Sequence, residues 1–408
     1  MKSINFNNSN LKKISKFSKN SCQVCGSNEI RNFHEIESVP ANSCILLSSR
    51  EEAIDYPKGK ISLGACEECG FISNIAYNPK LVEYSDRYEE TQGFSPTFKD
   101  FHRELANYLI DRYNLHDKHI IEIGCGKGEF LSLLCELGGN RGVGFDPAYD
   151  SDREQCKAKD RLTFIKDFYS EKYSHYSGDF IVCKMTLEHI HSPFDFVARL
   201  RRLIGDRSDT IVFFQVPDIT RILHDCAFED FYYEHCSYFS AGSLARLFRK
   251  CGFNILSLTT AYNGQYLMIE AKPANGMINK QLSQEDDMEI LMQKAKIFSK
   301  QYKCKLDNWH CKLQEIRDAG KHAVLWGSGS KGVSFLTLLK RRDEIEYVVD
   351  INPHKHGFYM AGTGQSIVSP DFLIKYRPDI VIVMNSIYRD EIQQELQKMG
   401  LCPELLTV

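Results

Sequence analysis

The stretch Glu122-Ile-Gly124-Cys125-Gly126-Lys-Gly128 limits the folds open to this chain more than any other. It lies between an apolar run, His119 to Ile123, and an apolar-periodic run, Glu129 to Leu137, and so predicts a strand, a tight turn and a helix. Glycines at alternate positions let the backbone come close to a ligand, and the glutamate ending the strand can meet an ammonium or a hydroxyl group. The spacing departs from the G-x-G-x-x-G that cradles a pyrophosphate. A turn of this kind needs a sheet to carry it.

The flanking chain supplies one. An amphipathic helix around Phe101 to Tyr113 precedes the loop, and further strand signals follow it: Gly142 to Phe145 ending at Asp146, Leu162 to Ile165 before Asp167, Phe180 to Cys183 before Lys184, and Thr210 to Val216. Strands alternating with helices predict a parallel, doubly wound α/β sheet, with its ligand at the carboxyl ends of the strands. Glu188-His189 follows the fourth strand at that end, and Tyr232-Tyr-Glu234-His235-Cys-Ser-Tyr238-Phe239-Ser240 follows the fifth. Tyr238 and Phe239 are expected to pack in the core.

A second α/β unit begins near residue 320. Its strand Ala323 to Trp326 leads into Gly327-Ser-Gly329-Ser-Lys331-Gly332, and Asp350 ends a later strand 18 residues on. This loop does have dinucleotide spacing. Three readings stand side by side: NAD binding, a cradle in which Lys331 meets a substrate phosphate, and a structural turn without a ligand. Between the two units, residues 281 to 319 read as a polar helical linker, one helix or two, with Ile290, Leu291, Ala295, Ile297 and Phe298 on one side.

Near the start, Cys22-Gln-Val-Cys25-Gly and Cys66-Glu-Glu-Cys69-Gly form two CxxC knuckles separated by 40 residues. Four thiolates at this spacing point to structural zinc, and with all ligand positions filled by sulfur the metal would activate no water. Unrelated buried or redox cysteines are the alternative. The remaining cysteines, of fifteen in all, are scattered over 408 residues and read as reduced thiols. The boundaries expected are a disordered arm at 1–20, a zinc-binding module at 21–80, the glycine-loop domain at 81–280, the linker at 281–319 and the C-terminal unit at 320–408. The arm lacks the apolar core of an export signal, no apolar run exceeds strand length, and net charge is −3. A cytoplasmic protein is expected, monomer or homodimer, without nucleic-acid or membrane partners.

The loop, its acidic partners and the strand order resemble class I S-adenosylmethionine-dependent methyltransferases, and the whole chain from Cys22 onward resembles the sugar C-methyltransferase family. The paired CxxC, the Tyr232–Ser240 stretch and the Gly327–Gly332 loop carry that resemblance. It implies S-adenosylmethionine as cofactor, held by Glu122, Gly124, Cys125, Gly126, Gly128, Asp146 at the ribose, Asp167 near the adenine, and Lys184. It also implies structural Zn2+ and a nucleotide-linked keto-sugar as substrate. Substrate-lining residues carried over are Tyr232, Glu234 and His235, a linker tyrosine (Tyr88 rather than Tyr84), Asn263, and Gly327, Gly329, Lys331 and Gly332. Tyr233 stands where the family has histidine, and Gln215 where it has glutamate, so the acceptor is the part the resemblance defines least.

For C-methylation a histidine suits the removal of a proton beside a ketone. His235 is expected as base and His189 as a second candidate, with Glu234 orienting and Tyr232 or Tyr88 donating to an enolate oxygen. O-methylation of a hydroxyl and hydride transfer through the C-terminal glycine loop are the competing functions.

Overall fold

The computed structural model describes residues 17–18, 21–153, 157–276, 279–340 and 344–408. The expected N-terminal arm lies almost wholly outside them. At the N-terminal end β1 (Ile30–Pro40), α1 (Arg50–Asp55), β2 (Lys58–Cys66) and β3 (Ile72–Asn74) form an antiparallel sheet with the helix between its first two strands.

The central sheet is built from α2 (Pro96–Tyr113), β4 (His119–Ile123), α3 (Glu129–Gly138), β5 (Arg141–Phe145), β6 (Leu162–Ile165), β7 (Phe180–Lys184), α4 (Pro193–Ile204), β8 (Ile211–Pro217), α5 (Ile219–Asp225), β9 (Ser237–Tyr238), α6 (Ala241–Lys250), β10 (Phe253–Ala261) and β11 (Tyr266–Pro273). Its strand order is β10-β11-β8-β7-β4-β5-β6. The expected parallel sheet holds from β6 to β8, but β11 runs antiparallel to both its neighbours, so the sheet is mixed. A short turn after β10 reverses the chain, and a hairpin can only pair antiparallel. β9 leaves this sheet and pairs with β3, completing the N-terminal sheet with a strand from the middle of the chain.

The 281–319 segment contains one helix, α7 (Met288–Asp318), which buries Leu291, Ala295, Phe298, Trp309, Leu313 and Ile316. Ile290 and Ile297 were expected on that same side but lie exposed, because each sits one residue, about 100° of turn, off the stripe set by Leu291, Ala295 and Phe298. That stripe shares one core with Ile61 and Leu63 of the N-terminal sheet and Leu325 and Phe335 of the C-terminal unit. The last part comprises β12 (Ala323–Trp326), α8 (Ser330–Leu339), β13 (Ile345–Val349), β14 (Ser366–Val368), α9 (Phe372–Tyr376), β15 (Ile380–Val383), α10 (Arg389–Lys398) and β16 (Glu404–Thr407). Its five strands are all parallel, in the order β14-β13-β12-β15-β16. Among the described residues no helix is long and apolar enough to cross a membrane.

Candidate active site

A cleft of about 880 Å³ opens at the carboxyl ends of β4, β5, β7 and β8 and reaches the turn after β12. Its first wall is the loop between β4 and α3. Gly124 has φ +72°, and a Cβ there would come within 2.0 Å of the Thr186 hydroxyl, so only glycine fits. The Asp146 carboxylate accepts from the N–H of Gly126 at 2.9 Å and of Ala148 at 2.7 Å, which fixes the turn. Burial pushes Asp146 above the usual carboxylate range, against those N–H groups.

Glu122 lies at the end of β4 with Oε2 buried and without a hydrogen-bond partner. Burial raises its pKa to about 8 against the pull of Lys184. The same burial pulls Lys184 down to about 7, and its ammonium sits 3.6 Å from the centre of the Phe130 ring and 2.8 Å from His102 Nε2. Cys125 lines this wall with its thiol pushed well up by burial, which makes it a small loop residue. Gly128, at φ +82°, is the N-cap of α3. Asp167 sits at the rim, accepting from the Tyr173 hydroxyl at 2.6 Å and the Phe168 N–H at 2.8 Å. An orphaned carboxylate oxygen beside a loop with glycine at every second position suits the ammonium and close backbone approach that S-adenosylmethionine demands, so the residues present fit that cofactor.

The opposite wall gathers the histidines. His235 is buried, and burial first, then the neighbouring His189 and Lys331, hold its pKa well below the usual imidazole value. Its ring meets His189 edge-on at 4.6 Å and Tyr232 at 4.4 Å. His189 Nδ1 lies 2.9 Å from the Tyr84 hydroxyl. Glu188, beside it, is buried with both oxygens unpartnered, and burial lifts its pKa to about 8. The Tyr232 hydroxyl donates to Asp230 at 3.2 Å.

Glu234 is placed differently from the expectation of an acceptor-facing residue. It lies behind the cleft, accepting from Ser43 N at 3.0 Å, from the Ser43 hydroxyl, from Asn42 at 3.4 Å and from the Tyr88 hydroxyl at 2.8 Å. Four donors saturate a carboxylate, so it acts as a brace for the N-terminal part of the chain. Tyr88 lines the cleft with its hydroxyl proton committed to that brace. Asn263 also departs from its expected place. The turn Tyr262-Asn263-Gly264 runs through three positive φ values, which turns Asn263 outward and leaves Gln265 on the cleft, exchanging hydrogen bonds of 3.0 Å with Asn385.

At the third wall Gly327, Gly329, Lys331 and Gly332 do face the cleft. A Cβ on Gly332 would meet the Gly327 carbonyl at 2.3 Å, the close helix–strand packing that such a loop requires. Lys331 is ion-paired with Asp230, which also binds Arg221. Asp350 accepts from the N–H and hydroxyl of Ser328 at 2.9 and 2.5 Å and lies 3.6 Å from Lys355. The Ser43 hydroxyl stands 2.7 Å from that of Ser330, at the start of α8. Asn42, Ser43, Asp230 and Arg221 escaped sequence reasoning because their partners are remote in the chain. The one available signal was the acidic pair Glu229-Asp230 inside an otherwise apolar stretch.

The four knuckle cysteines converge, with Cys22 and Cys69 sulfurs 3.5 Å apart and Cys25 and Cys66 sulfurs also 3.5 Å apart. Zn–S bonds of about 2.3 Å in a tetrahedron put sulfurs about 3.8 Å apart, so the cluster fits that ion. Gly26 and Gly70, at φ +85° and +71°, close the two turns with N–H bonds of 2.9 Å to the carbonyls of Cys22 and Cys66. Every described cysteine is free.

Sheet, glycine loop and acidic partners together define an S-adenosylmethionine-dependent methyltransferase. Residues 97–258 match the family model of a methyltransferase domain, and residues 262–401 that of the C-methyltransferase C-terminal domain. The chain is therefore an S-adenosylmethionine-dependent methyltransferase, and its C-terminal part is similar to the C-methyltransferase C-terminal domain. It is 23% identical to the C-methyltransferase NovU of Streptomyces niveus, over 91% of this chain and 90% of that protein. It is 24% identical to a ubiquinone biosynthesis O-methyltransferase of Saccharophagus degradans, over 32% of this chain and 57% of that protein. Among solved structures, the 1,6-didemethyltoxoflavin-N1-methyltransferase of Burkholderia thailandensis shares 16% identity, over 44% of this chain and 82% of that one, with a TM-score of 0.33.

Proposed function

We propose that the protein methylates a carbon of a nucleotide-linked keto-sugar, with His235 as the base and a structural zinc ion on Cys22, Cys25, Cys66 and Cys69. The observation that carries this is the placement of His235: an uncharged, buried imidazole on a cleft whose other walls are the Gly124–Gly126 loop and the Lys331 turn. A cleft of about 880 Å³ has room for two ligands meeting in its middle.

S-adenosylmethionine, when bound, supplies a methyl group on a sulfonium that needs only in-line displacement. Glu122 would hold its ammonium and Asp146 its ribose hydroxyls. His235 takes the proton from the carbon next to the acceptor's ketone, and the C–H electrons pass into an enolate. The Tyr232 hydroxyl, turned from Asp230, donates to the enolate oxygen as charge gathers there. The enolate carbon then bonds to the methyl group as the carbon–sulfur bond breaks, and the proton on His235 leaves to water. Arg221 and Lys331, now shared by Asp230, are the cations available to a diphosphate.

The test combines a panel of nucleotide-linked keto-sugars with deuterated water. Deuterium should enter the acceptor carbon before transfer, and the new methyl should appear on carbon. His235→Ala should keep its affinity for S-adenosylhomocysteine and lose turnover by about 10²–10⁴-fold. Retained turnover removes His235 from the mechanism, and a methyl found on oxygen replaces C-methylation with O-methylation.

A further inference from the structure

We propose that Glu188, His189 and His235 form a divalent transition-metal site in the cleft, separate from the four-cysteine cluster, and that an ion bound there blocks the base. One ligand atom from each of these residues lies within 4.8 Å of the others. Glu188 and His189 sit together on the short turn Leu187–His189 after β7, and the N–H of Cys236 donates to the Glu188 carbonyl at 3.0 Å, which ties His235 to that turn.

The second observation is the Glu188 side chain itself. It is 1% exposed, lines the cleft, and neither carboxylate oxygen has a hydrogen-bond partner beyond the residue's own backbone N–H. A buried carboxyl group with no donor from any other residue is costly, and methyl transfer makes no use of it. A cation would satisfy it. His189 already has the outer partner that orients a metal-binding imidazole, since the Tyr84 hydroxyl holds its Nδ1. The ion would replace the contact between the His189 ring and the Glu234 backbone. Metal bonds of about 2.1 Å place neighbouring ligands roughly 3–3.5 Å apart, so ligand atoms up to 4.8 Å apart would close by up to about 1.5 Å. Two imidazoles and one carboxylate select Ni2+, Cu2+, Co2+ or Zn2+ over Mg2+. The blocking effect rests on the role of His235 proposed above, because a coordinated imidazole has no lone pair left for a C–H proton. The site itself does not rest on that role.

Titration of the zinc-containing protein with Ni2+ in a calorimeter tests it, with Mg2+ as the contrasting ion. About one further Ni2+ equivalent is expected, weakened tenfold or more in Glu188→Gln and in His235→Ala, each variant first shown to bind S-adenosylhomocysteine normally. Mg2+ should give no such binding. On the unmutated protein, bound Cu2+ should show electron-spin coupling to two imidazole nitrogens, and this decides the matter should either variant fail to fold. Absence of the extra equivalent, affinity indifferent to both substitutions, or Cu2+ without nitrogen coupling would overturn the site. Ni2+ that binds there without slowing methyl transfer keeps the site and removes His235 from the role of base.

Discussion

Glu90 and Glu122 face the cofactor end of the cleft as buried carboxyls, raised by burial to about 7 and about 8 against the opposing pull of Lys127 and Lys184. A group whose pKa is raised in the folded protein holds its proton until the pH passes that value, so near pH 6 both are largely neutral. S-adenosylmethionine brings a sulfonium and an ammonium, and cations favour the ionised carboxylates. Binding should therefore release protons and tighten as pH rises from 6 to 8, by about tenfold. S-adenosylhomocysteine, without the sulfonium charge, should change less. Calorimetry at both pH values in two buffers of different ionisation heat measures this directly, and an affinity flat in pH with no proton release would mean that the carboxylates are already ionised. Glu122 and Asp146 were legible in the sequence because the glycine loop beside them marks their place. Glu90 was not, since its neighbour Gly126 lies 36 residues further along the chain. Glu234 was legible as important but not as a brace, because Ser43 is 191 residues away. Asn263 was two positions off Gln265, an error set by a turn whose backbone angles the residue types do not announce.

Among the elements, the start of α6 explains one end of the Tyr232–Ser240 stretch without any catalytic role. The Ser240 side chain accepts from the N–H of Ser243 at 3.2 Å, and the Ser243 hydroxyl accepts from the N–H of Ser240 at 2.9 Å, a reciprocal cap on a buried helix end. Ser240→Ala removes one donor–acceptor pair from a helix that packs on β10 and should cost about 1 kcal/mol. Urea unfolding followed by circular dichroism reads this, and turnover at saturating substrate should be nearly unchanged in the folded protein. A stability equal to the parent's would mean that water replaces the cap. Strands β4 to β8 were legible because apolar runs alternating with helical periodicity leave few topologies. Two features were not. β9 is two residues long, below any periodic signal, and the antiparallel course of β11 is set by a pairing partner that local pattern does not identify.

At the scale of the whole molecule, the N-terminal sheet is part of the cleft's construction. β3 begins three residues after Cys69 and pairs with β9, whose first residue stands two positions after His235. Asn42, Ser43 and Tyr88 hold Glu234 on the other side of that histidine. The glycine loop, by contrast, is fixed within the central sheet by Asp146 and by the bond of 2.9 Å from Gly124 N to the Phe145 carbonyl. The sequence motifs announce these parts in order, but not that one strand crosses from one sheet to another. Loss of the proposed zinc ion should therefore separate two properties that an ordinary unfolding would lose together. Four thiolates held 3.5 Å apart in facing pairs repel without an ion, the knuckles loosen, and β3 loses its anchor. Stripping zinc with a chelator under reducing conditions should leave S-adenosylhomocysteine affinity within about threefold, while methyl transfer falls tenfold or more because His235 loses its register. Metal analysis, calorimetry and transfer of a labelled methyl group measure the three quantities on one sample. Equal loss of binding and turnover would mean that the cysteine cluster supports the entire fold, and unchanged turnover would detach the N-terminal sheet from the acceptor side of the site.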